Sequence, residues 1–324
     1  MTAQTRGEAT DLAIQIEGMW KSYGAVQAVE NISMHVPTGS VYGLIGPNGC
    51  GKTTVIKVLA GLESPDSGSV QIAGMDARTH AAEIRARVGY VPDAFGVYDG
   101  LTVNEYVCFY AASHGIRRLQ RARLASDLLE LVDLAGKRSQ PVQNLSRGMK
   151  QRLGLARCLI HDPDVLLLDE PASGMDPLAR SELLEILRDL STLGKTVLIS
   201  SHILPELTDM CTHIGMFRAG EPLLEGPVGE VISILGSVPQ LRIRLAVDAQ
   251  QGEAVALLMV NSTCQNAGID STGEVIAEFL GTEQELSALL LGLIEHGMQV
   301  TNFVAVNRAL EHELLTASRG TGYA

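Results

Sequence analysis

The run Gly46-Pro47-Asn48-Gly49-Cys50-Gly51-Lys52-Thr53 satisfies G-x-x-x-x-G-K-[ST] at every fixed position, and Thr54 follows it. Glycines at these places let the backbone curl until several N–H groups point into one hollow, where the next helix adds the positive end of its dipole. Lys52 then reaches the outer phosphates of a nucleotide, and the Thr53 hydroxyl supplies an oxygen for Mg²⁺. Such a loop needs an acid on the metal side and a group to activate water. Asp164-Val165-Leu166-Leu167-Leu168-Asp169-Glu170 offers both: an apolar strand delivers Asp169 at its C-terminal end, where ligands bind in open α/β sheets, and Glu170 comes next. Asp169 suits Mg²⁺, through water, and Glu170 suits the general base for an attacking water.

His202 closes the stretch Leu198-Ile199-Ser200-Ser201-His202. On a neighbouring parallel strand it would stand beside Glu170 and the terminal phosphate as a polar sensor. Leu145-Ser146-Arg147-Gly148-Met149-Lys150-Gln151-Arg152 opens a helix with Ser146 as N-cap. A serine hydroxyl and the Gly148 backbone at a helix N-terminus form a second anion site, aimed at a phosphate that the chain's own loop does not surround.

These groups need elements to position them. Leu12–Ile16, Val26–Val36 and Val41–Ile45 are short β-rich stretches set between turn residues, and small antiparallel pairs are expected there. Val55, Ile56, Val58 and Leu59 have helical spacing, with Gly61 as the stop, so the phosphate loop joins a strand to a helix. Leu101–Ile160 reads as a helical insertion, with helices from Thr102 to His114, Arg121–Leu134 and Ser146–Ile160. Strand–helix alternation returns with Val165–Leu168, Leu178–Leu190 and Thr196–Ile199, the apolar runs being short enough for buried parallel strands. The fold class is α/β, a P-loop core with an antiparallel β subdomain and a helical subdomain over about 95–160.

Gly226-Pro227, Gly229, Gly236 and Pro239 are expected to break regular structure, which sets a linker at 226–239 between a domain at 1–225 and a small α+β module at 240–324. In that module Leu241, Ile243, Leu245 and Val247 alternate as a strand. Ala254–Met259 is helical, Val275–Leu280 is a strand, Gln284–His296 is a helix, and a strand–helix pair begins at Val300.

With 324 residues, 46% hydrophobic and 19% charged, the composition is that of a globular chain of about two domains. The formal charge of −12 divides into −5 over residues 1–225 and −7 over 226–324, which argues against a duplex nucleic acid partner. The strongest apolar runs, Val165–Leu168 and Ala288–Ile294, are too short to cross a bilayer. Met1–Asp11 lacks the apolar core of a secretory signal, so cytosolic residence is expected. The cysteines at 50, 108, 158, 211 and 264 are widely spaced and read as reduced, mostly packed thiols.

The order Tyr23, the Gly46–Thr53 loop, Tyr90-Val91-Pro92-Asp93, Leu145–Gln151, Asp164–Glu170, Ser173-Gly174-Met175-Asp176 and His202 resembles the nucleotide-binding subunit of ATP-binding cassette (ABC) transporters over about residues 12–225. The resemblance implies an ATPase in which two such domains, two copies or homologous subunits, pair head to tail. The signature residues Ser146, Arg147, Gly148 and Met149 would close over ATP held by the opposite subunit's Lys52 loop. It also implies that Tyr23 stacks on adenine, that Ser173, Gly174, Met175 and Asp176 form the D-loop, and that Asp93 joins Thr53 and Asp169 around Mg²⁺. Separate transmembrane permease subunits would dock near Phe95–Val107, placing the protein in the cytoplasm on the inner face of the cell membrane. The tail, ending in Leu310-Glu311-His312-Glu313-Leu314-Leu315-Thr316, looks like the C-terminal extension of ABC-2 type exporter ATPases. A soluble ABC-type ATPase acting on nucleic acid or ribosomes is the alternative, disfavoured by the acidic tail and the single cassette. A nucleotide-binding regulator without hydrolysis is disfavoured by Asp169, Glu170 and His202 together.

Departures from the family pattern are Asp93, where Gln or Glu is usual, and Arg147 and Met149 in the signature, where Gly and Gln are usual. Arg147 is either a phosphate contact across the dimer or a solvated surface cation. Cys50, inside a positive nest, is expected to have a lowered pKa and to react with thiol reagents.

Overall fold

The computed structural model describes residues 11–93, 96, 100–208, 210–218, 220–235, 240–270 and 272–306. Its compact units meet at the Val228–Gly229 bond.

In the first unit, β1 (Leu12–Tyr23) and β2 (Val26–Pro37) pair antiparallel, with the turn taken by Gly24 at φ +60°. Ile14, Ile16, Ile32 and Met34 are fully buried on one face of the pair. After β3 (Val41–Ile45) and α1 (Lys52–Leu59), β4 (Ser67–Ile72) joins the free side of β1 and carries the short β5 (Met75–Asp76). This sheet has the order β2-β1-β4-β5.

The second sheet is built from β3 and from β6 (Val88–Val91), β7 (Val165–Leu168), β8 (Thr196–Ser201), β9 (His213–Arg218) and β10 (Glu221–Pro227), in the order β10-β9-β3-β8-β7-β6. All its pairings are parallel except β9 with β10. Every residue of β3, β7 and β8 is buried, which is why Val165–Leu168 and Val197–Ile199 are unbroken apolar runs, and β3, expected in an antiparallel pair, is instead a parallel strand of this sheet. Parallel strands end at one edge. The loops after β3, β6, β7 and β8 therefore deliver the phosphate loop, Asp93, Asp169-Glu170 and His202 to the same side. Val55, Ile56 and Leu59 of α1 join residues of both sheets in one core with Leu44, Leu167 and Leu198.

Helices complete the unit: α2 (Ala81–Arg87), α3 (Val103–Ser113), α4 (Arg118–Leu131), α5 (Arg147–Cys158), α6 (Pro177–Thr192) and α7 (Leu204–Thr208). Thr102 and Glu105 form a capping box at the start of α3. The helix expected at Arg121–Leu134 starts three residues earlier. Its N-cap, Arg117, makes no side-chain capping bond, so no capping residue marks the start. It ends before Leu134 because Asp133 takes φ +51°.

The stretch expected to be an irregular linker is largely regular, since β10 runs to Pro227 and α8 (Val228–Leu235) follows at once. Apolar residues at 228, 231, 232 and 235 outweigh Gly229, whose cost in a helix is about 1 kcal/mol. Residues 236–239 lie outside the described residues, as do 95 and 97–99 of the expected docking region and the motif at 310–316.

The second unit runs β11 (Gln240–Leu245), α9 (Gln251–Val260), β12 (Cys264–Ile269), β13 (Val275–Phe279), α10 (Glu283–Glu295) and β14 (Val300–Val306). Its sheet order is β12-β13-β11-β14 with antiparallel pairings, the split βαβ arrangement of ferredoxin-like modules. Leu241, Ile243, Val275, Phe279, Leu258 and Leu293 form its core. Strand β12 has no counterpart in the sequence expectation. It carries Gln265, Asn266 and Gly268, with Asn266 at φ +50° and a register shift, so no two-residue alternation survives. Val247 falls beyond the end of β11.

Candidate functional site

Side-chain chemistry converges where α1 begins. Gly51 caps α1 at φ +102°, and a side chain there would collide with the Ala28 carbonyl. A Cβ on Gly46 would lie 2.5 Å from both Cys50 Sγ and the Phe217 carbonyl oxygen. These glycines are demanded by the curl of the loop itself. No acidic residue stands in the first turn of α1, so its N-terminal N–H groups keep their positive potential for an anion. A cavity of about 380 Å³ opens there, and Asn48, Lys52, Thr53, Asp93, Glu170 and His202 contribute to its lining. Gly49, Thr54 and Ser173 also reach it.

Lys52 is 6% exposed. Its ammonium donates to the carbonyls of Gly46 at 2.7 Å and Pro47 at 3.1 Å, and it lies 3.4 Å from Glu170 Oε1. Two hydrogen bonds and an ion pair within the chain engage the ammonium, so an incoming phosphate takes over contacts already made. The other oxygen of Glu170, Oε2, is 2.7 Å from His202 Nδ1. A carboxylate only accepts, so this contact assigns the Nδ1 proton and leaves Nε2 for a second partner. Parallel pairing of β7 with β8, Leu168 opposite Ile199, brings these two loops together. Glu170 adopts φ +48°, a left-handed conformation that costs a non-glycine residue about 1–3 kcal/mol.

Asp169 is 3% exposed and accepts the Ser200 hydroxyl at 2.7 Å on Oδ1. The Glu170 N–H donates to the same Ser200 Oγ at 2.8 Å. The sequence carried a signal for Ser200, a polar residue interrupting an apolar buried strand just before His202, without a role for it. Tyr90, on β6, has its hydroxyl pushed up to about 12 by burial and, secondarily, by the charges of Asp169 and Asp93; it is neutral at physiological pH.

The signature residues occupy the start of α5. Ser146 caps it, its hydroxyl accepting the Met149 N–H at 3.3 Å, which leaves the O–H proton free to donate. Gly148 is buried, and an added Cβ would come 3.0 Å from Ala179 Cβ and 3.8 Å from Met175 Cε. Asp176 caps α6 by accepting the Ala179 N–H at 3.0 Å. Arg147 is a surface cation, 52% exposed, that pairs with Asp93 of its own chain at 3.3 Å and lies against Gly174. Gln151 adds a second tie, donating to the Asp93 carbonyl at 2.9 Å. Two of the three departures from the family pattern thus contact each other.

Tyr23 is 42% exposed, with Lys21 Nζ 5.3 Å from its ring centroid, and it does not line the cavity. Cys50 corrects an expectation outright. Its thiol is 3% exposed, and burial raises its pKa more than the nearby Lys52 charge lowers it, so it is a packed thiol and not a reactive thiolate.

A sequence profile of the family described as "ABC transporter" matches residues 29–173. The chain is 39% identical over 250 residues to the Nod factor export ATP-binding protein I of Burkholderia pseudomallei (strain K96243), covering 74% of this chain and 82% of that relative. It is 38% identical over 223 residues to the protein of the same name from Paraburkholderia xenovorans (strain LB400), covering 69% and 73%. Among solved structures, cbiO1 from Clostridium perfringens, described as part of the ABC transporter complex cbiONQ, superposes with a TM-score of 0.64 at 26% identity over 69% of this chain and 91% of that one. A structure described as the ATP binding subunit of an ABC transporter gives 0.62 at 28% identity, over 69% and 93%.

Proposed function

Because the chain belongs to the ATP-binding subunits of ABC transporters and is an ATPase, we propose that it drives export across a membrane as one half of an ATP-sandwiched dimer docked on separate transmembrane subunits. Glu170 carries this reading: its carboxylate is held between Lys52 and His202 at the mouth of the phosphate-loop cavity, the position a general base for water requires. Lys52 neutralises charge on the outer phosphates. His202 orients Glu170 through Nδ1 and offers Nε2 to the terminal phosphate.

The donors on the metal side are hard oxygens, the Thr53 hydroxyl and the carboxylates of Asp93 and Asp169, and this set fits Mg²⁺. Asp169 spends only Oδ1 on Ser200, so an oxygen remains for a metal or its water. When bound, Mg²⁺ supplies charge neutralisation on the phosphate oxygens.

The signature end faces outward. Ser146 keeps a free hydroxyl proton at a helix N-terminus and is exposed, which suits the phosphate of a second subunit. We assign Tyr23 to adenine, and Ser173 to Asp176 to the face between subunits, on the family resemblance. Export as the direction is supported by the printed names of the relatives. Among the described residues no helix is long and apolar enough to cross a membrane, which fits a membrane half supplied by other polypeptides on whose cytoplasmic side this chain sits.

The test is Glu170→Gln in the full chain. It should bind ATP and become a stable dimer by size-exclusion chromatography with ATP, without turnover. A variant that stays monomeric with ATP removes the sandwich, and one that hydrolyses at the parent rate removes the base.

A further inference from the structure

Two groups at the end of β7 share one hydroxyl of β8. Ser200, fully buried on β8, donates its only proton to Asp169 Oδ1 and accepts the Glu170 N–H on the same oxygen. A serine hydroxyl has one donor and two acceptor sites, so the carboxylate fixes where the proton points and thereby turns a lone pair to the Glu170 amide. The Glu170 peptide is the one that takes the left-handed conformation, at φ +48°. Such a conformation persists in a non-glycine residue only where its surroundings hold it. What it achieves is visible in the side chain: Glu170 turns back to reach Lys52 and His202 and does not continue the line of β7.

We propose that Ser200 is a positioning residue for hydrolysis, locking the Glu170 main chain in the conformation that aims its carboxylate, and coupling that conformation to the state of Asp169. It is buried and does not line the phosphate-loop cavity, so it acts through the residues beside it. The coupling is built in, because the donor that orients the hydroxyl is spent on the same carboxylate assigned to the metal side. A change in how Asp169 is held reorients the lone pair that holds the base. The inference rests on the assignment of Glu170 as base.

Ser200→Ala removes both bonds, leaving a buried N–H and a buried carboxylate oxygen each without this partner. Turnover at saturating ATP should fall about 10- to 100-fold, the usual cost of removing a supporting hydrogen bond behind a reactive group. Affinity for a fluorescent ATP analogue should stay within about threefold, since the phosphate loop is untouched. Ser200→Thr keeps the hydroxyl on a strand that favours β-branching, beside a small cavity of about 10 Å³, and should restore most of the lost turnover. In the parent, hydrogen exchange at the Glu170 amide should be slow, and it should speed up in Ser200→Ala. If Ser200→Ala does not fold, Ser200→Cys, whose thiol is a weak donor and acceptor, carries the same measurements. Parental turnover in Ser200→Ala, equal losses of turnover and nucleotide affinity, failure of Thr to outperform Ala, or fast exchange of the Glu170 amide in the folded parent each overturns the proposal. A Glu170→Gln chain that hydrolyses normally overturns the assignment of Glu170 itself; an inert Glu170→Gln beside a fully active Ser200→Ala overturns only the role of Ser200.

Discussion

Two cation–carboxylate contacts of nearly equal length border the phosphate-loop cavity: Lys52 with Glu170 at 3.4 Å and Arg147 with Asp93 at 3.3 Å. The first is enclosed, with side chains 5% and 16% exposed; the second is open, at 52% and 53%. Distance does not separate them, but surroundings do. In the enclosed site water reaches the charges less and screens them less, so loss of one partner leaves the other poorly compensated. In the open site both ions keep their hydration, and an exposed pair is worth about 0–1 kcal/mol. The Lys52–Glu170 pair is therefore held within the body of the chain, whereas the Arg147–Asp93 pair is a weakly held contact at its surface.

The sharpest way to test this contrast is Glu170→Gln, for which turnover should drop by about 10²- to 10⁴-fold while ATP still binds. Initial-rate phosphate release with parallel nucleotide binding measures it. Next in size is Lys52→Ala, which leaves the Glu170 carboxylate without its cation. Urea unfolding without nucleotide should show a loss of about 2 kcal/mol, alongside lost ATP affinity. Unchanged stability would mean that the Lys52–Glu170 pair is as open to water as the Arg147–Asp93 pair.

A third pair, Arg242 with Asp270 at 2.6 Å in the second unit, is intermediate, at 33% and 10% exposed. Asp270 is held well below the ordinary aspartate range, first by the Thr272 hydroxyl and then by the N–H groups of Thr272 and Glu274 and by Arg242. A depressed native value favours the folded state above the unfolded pKa, so this contribution is intact at neutral pH and fades as pH falls below about 3.8. Unfolding midpoints followed from pH 7 to pH 3 should fall less steeply in Asp270→Asn than in the parent.

The smallest stability effect belongs to the open pair. A double-mutant cycle of Asp93→Ala and Arg147→Ala should give a coupling of at most about 1 kcal/mol, shrinking with added salt. A coupling above about 2 kcal/mol would place this pair with the enclosed one. Finally, Cys50 should label no faster than the other buried thiols in the folded chain, and fully only in denaturant; rapid labelling of native protein would show that the phosphate loop opens.

Legibility followed periodicity and punctuation. β7 and the first part of β8 were readable because parallel strands buried on both faces are apolar runs, β3 was located as a strand but assigned to an antiparallel pair, and α3 and α5 were readable because Thr102 and Ser146 announce their caps. The start of α4 was not readable, since Arg117 is no capping residue, nor was β12, whose Asn266 and Gly268 erase alternation. At the site, residues bound by a fixed spacing, Gly46 to Thr53 and Asp169-Glu170, could be named outright. Cys50 was misjudged because a positive neighbour is visible in a sequence, whereas the desolvation that outweighs it is not. Ser200 and Gln151 stood in motifs already noted, but their partners are far away in the chain.

The amino-acid sequence by itself determined the chemistry this protein carries: a loop that must bind phosphate, an acid pair at the end of a strand, and a histidine on the next. Those assignments depend on local spacing, which survives without three-dimensional information. The tertiary structure alone decided which charges are enclosed and which face water, that Arg147 meets Asp93, and that Ser200 bridges Asp169 and Glu170. Those contacts depend on strand order and burial, through which residues distant in the chain come within hydrogen-bonding reach.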